Sequence, residues 1–95
     1  MPIRNFIDRN AEKLWKGISI AKKYQAIDKQ IARRLNLLNA AVSIDDLRDL
    51  PSNRFEALRG KPAGRYSIRV NEKTRIVFKW DENGPFDVEI ALDYH

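Results

Sequence analysis

The sequence predicts an α+β domain: two N-terminal helices packed on a mostly antiparallel sheet of four to five strands, in the order β-α-α-β-β-β. Three observations carry this. Ile27, Ile31, Leu35 and Leu38 fall at i, i+4, i+8 and i+11, which puts one apolar stripe along a helix. After Pro51 the apolar period drops from 3.6 to 2. Gly, Asn and Pro clusters then punctuate the alternating segments, as turns between consecutive strands require. A chain of 95 residues can bury one modest core, so residues 1–95 are expected to form a single domain.

The elements follow in order. Ile3, Phe6 and Ile7 suit a short opening strand. Asp8 or Asn10 is placed to cap a first helix carrying Ala11, Leu14 and Trp15, with Gly17 just past its end. The long helix runs from about Tyr24 to Ala40, and Lys29, Arg33 and Asn36 make its opposite side polar. Ser43 followed by Asp46 resembles a capping box that opens a single turn through Leu47, stopped by Pro51. Arg54–Arg59 reads as a strand and Gly60–Gly64 as a loop. In Arg65–Val70, Tyr66, Ile68 and Val70 point one way while Arg65, Ser67 and Arg69 point the other. Thr74–Trp80 repeats the pattern, with Ile76, Phe78 and Trp80 opposite Arg75, Val77 and Lys79. Asp81–Pro85 is a turn, and Val88–Tyr94 closes the chain as a strand. Trp15 and Trp80 belong to the core in this reading.

Composition narrows the function. There are no cysteines and one histidine, His95, which excludes disulfides, thiolate zinc sites, cysteine nucleophiles and multi-histidine metal centres. No apolar run is long enough to span a bilayer, and the start, MPIRNFIDRN, has no apolar stretch after its charges. A cytoplasmic protein without a membrane partner is expected. The net charge is +5, and it is unevenly spread. From Arg54 to Lys79 there are eight basic residues and two acids, whereas from Trp80 onward there are five acids and no Lys or Arg. A basic middle of this kind favours a polyanion.

The period-2 register gathers Arg69, Arg75 and Lys79 on one exposed sheet face, with Arg59 on the neighbouring strand and Asp93, Tyr94 and His95 at the end of the last one. Such a face binds phosphates through charge-assisted hydrogen bonds. It also has what cleavage of an RNA phosphodiester requires. The 2′-hydroxyl is the nucleophile. The protein must then accept that proton, return one to the leaving 5′-oxygen and stabilise charge on the phosphorane. Arg, Tyr, His and Asp suffice without a metal or cofactor.

The stretches Asn53-Arg-Phe-Glu-Ala-Leu-Arg-Gly60, Gly64-Arg-Tyr-Ser-Ile-Arg-Val-Asn71 and Thr74-Arg-Ile-Val-Phe-Lys-Trp80, with the ending Asp93-Tyr-His95, resemble the HigB/GraT branch of the RelE/ParE toxin superfamily. The resemblance covers nearly the whole chain and implies a RelE-like fold. It implies the toxin of a bacterial type II toxin–antitoxin pair that enters the ribosomal A site and cuts mRNA without metal. The implied partners are the ribosome, mRNA and a helix-turn-helix antitoxin, with operator DNA reached only through that antitoxin. Position by position, the implied catalytic residues are Arg59, Arg75, Asp93, Tyr94 and His95, and Arg69 matches a basic strand position that contacts RNA; Lys61, Arg65 and Lys79 are read from the basic stretch itself as further RNA-binding residues. Where some relatives carry a second histidine upstream of the loop, this chain has Glu56 or its neighbours, so the general acid and base stay unassigned. Two rival readings remain: a non-enzymatic gyrase inhibitor of the ParE type, and a basic RNA-binding module.

Overall fold

The computed structural model describes residues 1–18, 22–59 and 64–92, the Lys23 side chain excepted. Its helices are α1 (Arg9–Trp15), α2 (Lys22–Gln25), α3 (Asp28–Ala40) and α4 (Ile44–Arg48). A 3₁₀ turn at Pro51–Asn53 leads into β1 (Glu56–Ala57), β2 (Arg65–Arg69), β3 (Arg75–Asp81) and β4 (Gly84–Ala91). The strands form one antiparallel meander in chain order. The α+β class, with helices preceding an antiparallel sheet, is the expected one.

The apolar stripe of α3 makes the core. Ile31, Leu35 and Leu38 are fully buried against Ile68, Ile76, Phe78, Val88 and Ile90 of the sheet, and Ala11 and Leu47 join from α1 and α4. Trp15 and Trp80 pack on this cluster, as expected of core aromatics. Truncating a buried aromatic such as Phe78 costs about 3–5 kcal/mol. Asp8 caps α1 by accepting from the Asn10 and Ala11 amides, and its second carboxylate oxygen accepts the Ile90 N–H at 3.0 Å, tying α1 to β4. The Ser43–Asp46 capping box is present at α4.

Four boundaries differ from the sequence expectation. The opening segment is no strand: it makes one parallel bridge, Phe6 to Val88. Its backbone bonds run to Pro85 and Val88, and the Asn5 side chain takes the Asp87 amide where Asp87 (φ 50) bulges out of the ladder. The helix expected over 24–40 is divided at Ala26–Ile27: α2 ends at Gln25 and α3 starts at Asp28, whose carboxylate accepts the Lys29 amide at 2.7 Å. The strand expected over Arg54–Arg59 shrinks to Glu56–Ala57, since Arg54 is left-handed (φ 45) at the end of the 3₁₀ turn. The last strand begins at Gly84, four residues earlier than expected. Asp81 pairs with Gly84 across a two-residue loop, and Gly84 takes φ +96. A side chain there would also collide with Met1, whose Cβ lies 2.6 Å from the position a Cβ would occupy.

Candidate functional site

Register places the basic residues. Arg65 pairs with Lys79, Ser67 with Val77 and Arg69 with Arg75, so these six share the sheet face turned away from α3. The face is not uniformly open. Ser67 is fully buried, Val77 is 2% exposed and Arg75 is 8% exposed.

Arg75 is the centre of this face. Its Nε donates to Ser67 Oγ at 2.7 Å, Nη2 donates to the Arg54 carbonyl, and Nη1 lies 3.9 Å from a Glu56 carboxylate oxygen. The left-handed turn at Arg54 directs that carbonyl inward. A buried cation is costly unless it is engaged, and here a hydroxyl and a backbone carbonyl accept from Nε and Nη2 while the Glu56 carboxylate offsets the charge. Sequence reasoning put Arg75 on an open face. The structure instead clamps it, because residues 54–56 fold over it, a tertiary contact that strand alternation does not encode. The clamp fixes a planar guanidinium in one orientation, which is what recognition of a phosphate oxygen needs.

The other predicted residues fall into three groups. Arg65 is engaged with Glu89 and Lys79 lies 3.6 Å from Asp87, so both have an acidic partner on β4. Arg59 is exposed just after β1, and Arg69 is half-buried at the end of β2. Lys61, Asp93, Tyr94 and His95 lie outside the described residues. β4 brings Ala91 opposite Arg75. Among the described residues no group of three or more His, Asp or Glu is arranged to hold a metal ion.

Sequence reasoning missed two contributors. Glu56 was noted only as a departure from the family pattern, yet its carboxylate reaches the Arg75 guanidinium. Ser67, read as one polar residue of an alternating strand, is the buried acceptor that orients Arg75. Its in-register place beside a mid-strand arginine was the available signal.

Comparison with known proteins bears on this site. Residues 4–95 match the model of a family described as the RelE-like toxin of type II toxin–antitoxin system HigB. Toxin HigB-1 of Vibrio cholerae is 46% identical over 55 residues, which are 58% of this chain and 58% of that protein. An uncharacterized Haemophilus influenzae protein is 42% identical over 55 residues, 58% of this chain and 54% of its own. The aligned stretch thus spans a little over half the length of each curated relative. In fold, the chain is similar to the YoeB/ParE toxin from Agrobacterium tumefaciens, with a TM-score of 0.53 at 19% identity, covering 100% of this chain and 99% of that one. It is likewise similar to a chain of the heterotetrameric YoeB–YefM toxin–antitoxin complex from Staphylococcus aureus, with a TM-score of 0.51 at 23% identity, covering 100% and 99%.

Proposed function

Because this chain belongs to the HigB-like family of RelE-like toxins of type II toxin–antitoxin systems, we propose that it halts translation by cutting mRNA in the ribosomal A site. The observation that carries the reading is the oriented Arg75 guanidinium, held by Ser67 and the Arg54 carbonyl on a basic sheet face. In the proposed reaction the RNA 2′-hydroxyl attacks the adjacent phosphorus and the 5′-oxygen leaves. Arg75 stabilises the added negative charge of the phosphorane. Arg59 assists it from the exposed end of β1. Asp93, Tyr94 and His95 handle the two protons, and a histidine suits this near neutral pH. Glu56 supplies a further carboxylate at the same guanidinium. Arg69, Lys61, Arg65 and Lys79 hold the RNA backbone, the last two after exchanging Glu89 and Asp87 for phosphates. No metal or cofactor takes part.

The proposed partners are the ribosome, mRNA and a helix-turn-helix antitoxin through which alone the pair reaches operator DNA. The proposed location is the cytoplasm, where translation proceeds; among the described residues no helix is long and apolar enough to cross a membrane. Primer extension on ribosome-bound mRNA with purified protein tests the reading. Cuts confined to A-site codons are expected. Intact mRNA accompanied by gyrase-linked DNA breaks would overturn it in favour of the ParE-type activity.

A further inference from the structure

Beside the Arg75 clamp, the middle of α3, the 3₁₀ turn and the end of β2 enclose an open cleft of about 610 Å³. Arg34, Arg54 and Arg69 line it, with Ser52 and Asn71 between them, and among the described residues no carboxylate does. From this geometry we infer that the cleft is a second phosphate subsite, which holds a backbone phosphate of the same RNA strand next to the scissile one.

The cleft is built rather than incidental. Arg34 donates to Asn53 Oδ1 at 2.7 Å and to Ser52 Oγ at 3.3 Å. Asn53 is itself fully buried and donates to the Leu47 carbonyl at 3.0 Å, so the guanidinium rests on a fixed support. Asn71 spends its carbonyl oxygen on the Lys73 and Thr74 amides, which leaves its Nδ2 as a donor. Among the described residues neither Arg54 nor Arg69 is in an ion pair, in contrast to Arg65 and Lys79 on the same sheet face. Three like charges around one cavity repel one another, and an anion between them relieves that repulsion. Burial and neighbouring Arg33 already disfavour the charge on Arg34, lowering its pKa from the usual arginine value.

Connectivity names the occupant. Arg54 turns its carbonyl to Arg75 and also lines the cleft, so one residue joins the two sites. Arg69 is the cross-strand partner of Arg75, with Cα atoms about 4.5–5.5 Å apart. A strand whose scissile phosphate meets Arg75 would have a neighbouring phosphate on the side of Arg69 and the cleft. The choice of RNA as occupant rests on the proposed nuclease reading.

The test uses the full-length protein and a short single-stranded RNA made uncleavable by 2′-O-methyl sugars. Affinity is measured by fluorescence anisotropy over a range of salt concentrations. The variant is Arg54→Gln, which keeps Arg69 for its proposed role on the sheet face and leaves the main-chain carbonyl clamp on Arg75 in place; thermal unfolding checks its fold. Loss of one phosphate contact is expected to lower affinity and to make the slope of log K against log salt shallower by about 0.7. A folded variant with the wild-type slope would overturn the inference. So would a wild-type protein that binds no RNA at about 10⁻⁴ M and low salt. Inorganic phosphate that raises the melting temperature of the wild type but not of the variant, with no difference in RNA slope between them, would mark a small-anion site and also overturn it. The outcome is separable from the nuclease reading: a protein that cuts nothing can still show the slope change, and an active nuclease can lack it.

Discussion

Replacing Arg75 with alanine removes at least three contacts. The bond to Ser67 and the bond to the Arg54 carbonyl are both donated by a charged group, and each such bond contributes roughly 1.5–3 kcal/mol. The ion pair with Glu56, whose side chain is 54% exposed, adds at most about 1 kcal/mol. Truncation opens space for water, which rehydrates part of what is orphaned, so the lower end applies: a loss of about 3 kcal/mol. A domain of this size has about 5–14 kcal/mol in total. At about 4–8 °C per kcal/mol, the transition temperature should fall by about 12–24 °C. Circular dichroism melting measures this directly. Arg75→Lys keeps the charge but not the planar fork, and should lose most of the same stability. Combining Arg75→Ala with Ser67→Ala should cost less than the sum of the two, with a coupling of about 1 kcal/mol. Cleavage measured below the variant's own transition should still fall about 10²–10³-fold, the scale of a lost electrostatic stabiliser. An Arg75→Ala protein that melts within a few degrees of wild type would refute the clamp. One that is folded and cuts mRNA at full rate would remove Arg75 from the chemistry.

Four further outcomes are expected. Deleting Tyr94 and His95 should leave the melting temperature unchanged while abolishing cleavage; a silent truncation would leave the chemistry to the arginines. EDTA should not inhibit, and products analysed by mass spectrometry should end in 2′,3′-cyclic or 3′-phosphate; 3′-hydroxyl ends with a Mg²⁺ requirement would mean a different reaction. Asp8→Ala removes the cap of α1 and the acceptor of the Ile90 amide together, and should cost about 1–2 kcal/mol or more in denaturant titration. The Asp81 carboxyl is held below the usual carboxylate range, first by the Arg4 guanidinium and then by the Asn83 amide. Its contribution is therefore full above that range and lost as pH falls through the lowered value, so Asp81→Asn should flatten the acid limb of the stability profile.

What was legible in the sequence was what repeats locally. The α3 stripe shows because buried positions recur at the helical period, and the Ser43–Asp46 cap shows because both partners lie within one turn. The alternation of β2 and β3 fixed the face on which Arg69, Arg75 and Lys79 lie. The start of β4 was hidden by Pro85, which reads as a turn residue. It is tolerated because Pro85 sits near the strand's beginning, where its carbonyl can still accept from Arg4. The pairs Arg65–Glu89 and Lys79–Asp87 join residues on different strands, and the Arg75 clamp depends on a carbonyl turned by one left-handed residue. The arginine cleft assembles from three separate elements, and Arg34 looks in sequence like any cation on a helix flank.

The link from Asp8 to Ile90 has a consequence for when the molecule becomes complete. The meander itself closes by consecutive hairpins, and neighbours of that kind form early. The opening segment is different: the Ile7–Val88, Arg4–Pro85 and Asp8–Ile90 bonds each join residues about eighty positions apart. During synthesis Met1 and Ile3 can find their partners at Ala41 and Asn39 once α3 is made, whereas Arg4, Ile7 and the second carboxylate oxygen of Asp8 wait for β4. The capping carboxylate of α1 can hold the start of that helix, but cannot tie it to the sheet, before β4 emerges. A growing chain is thus kept from its finished shape, and the basic face from its final arrangement, until β4 has been made.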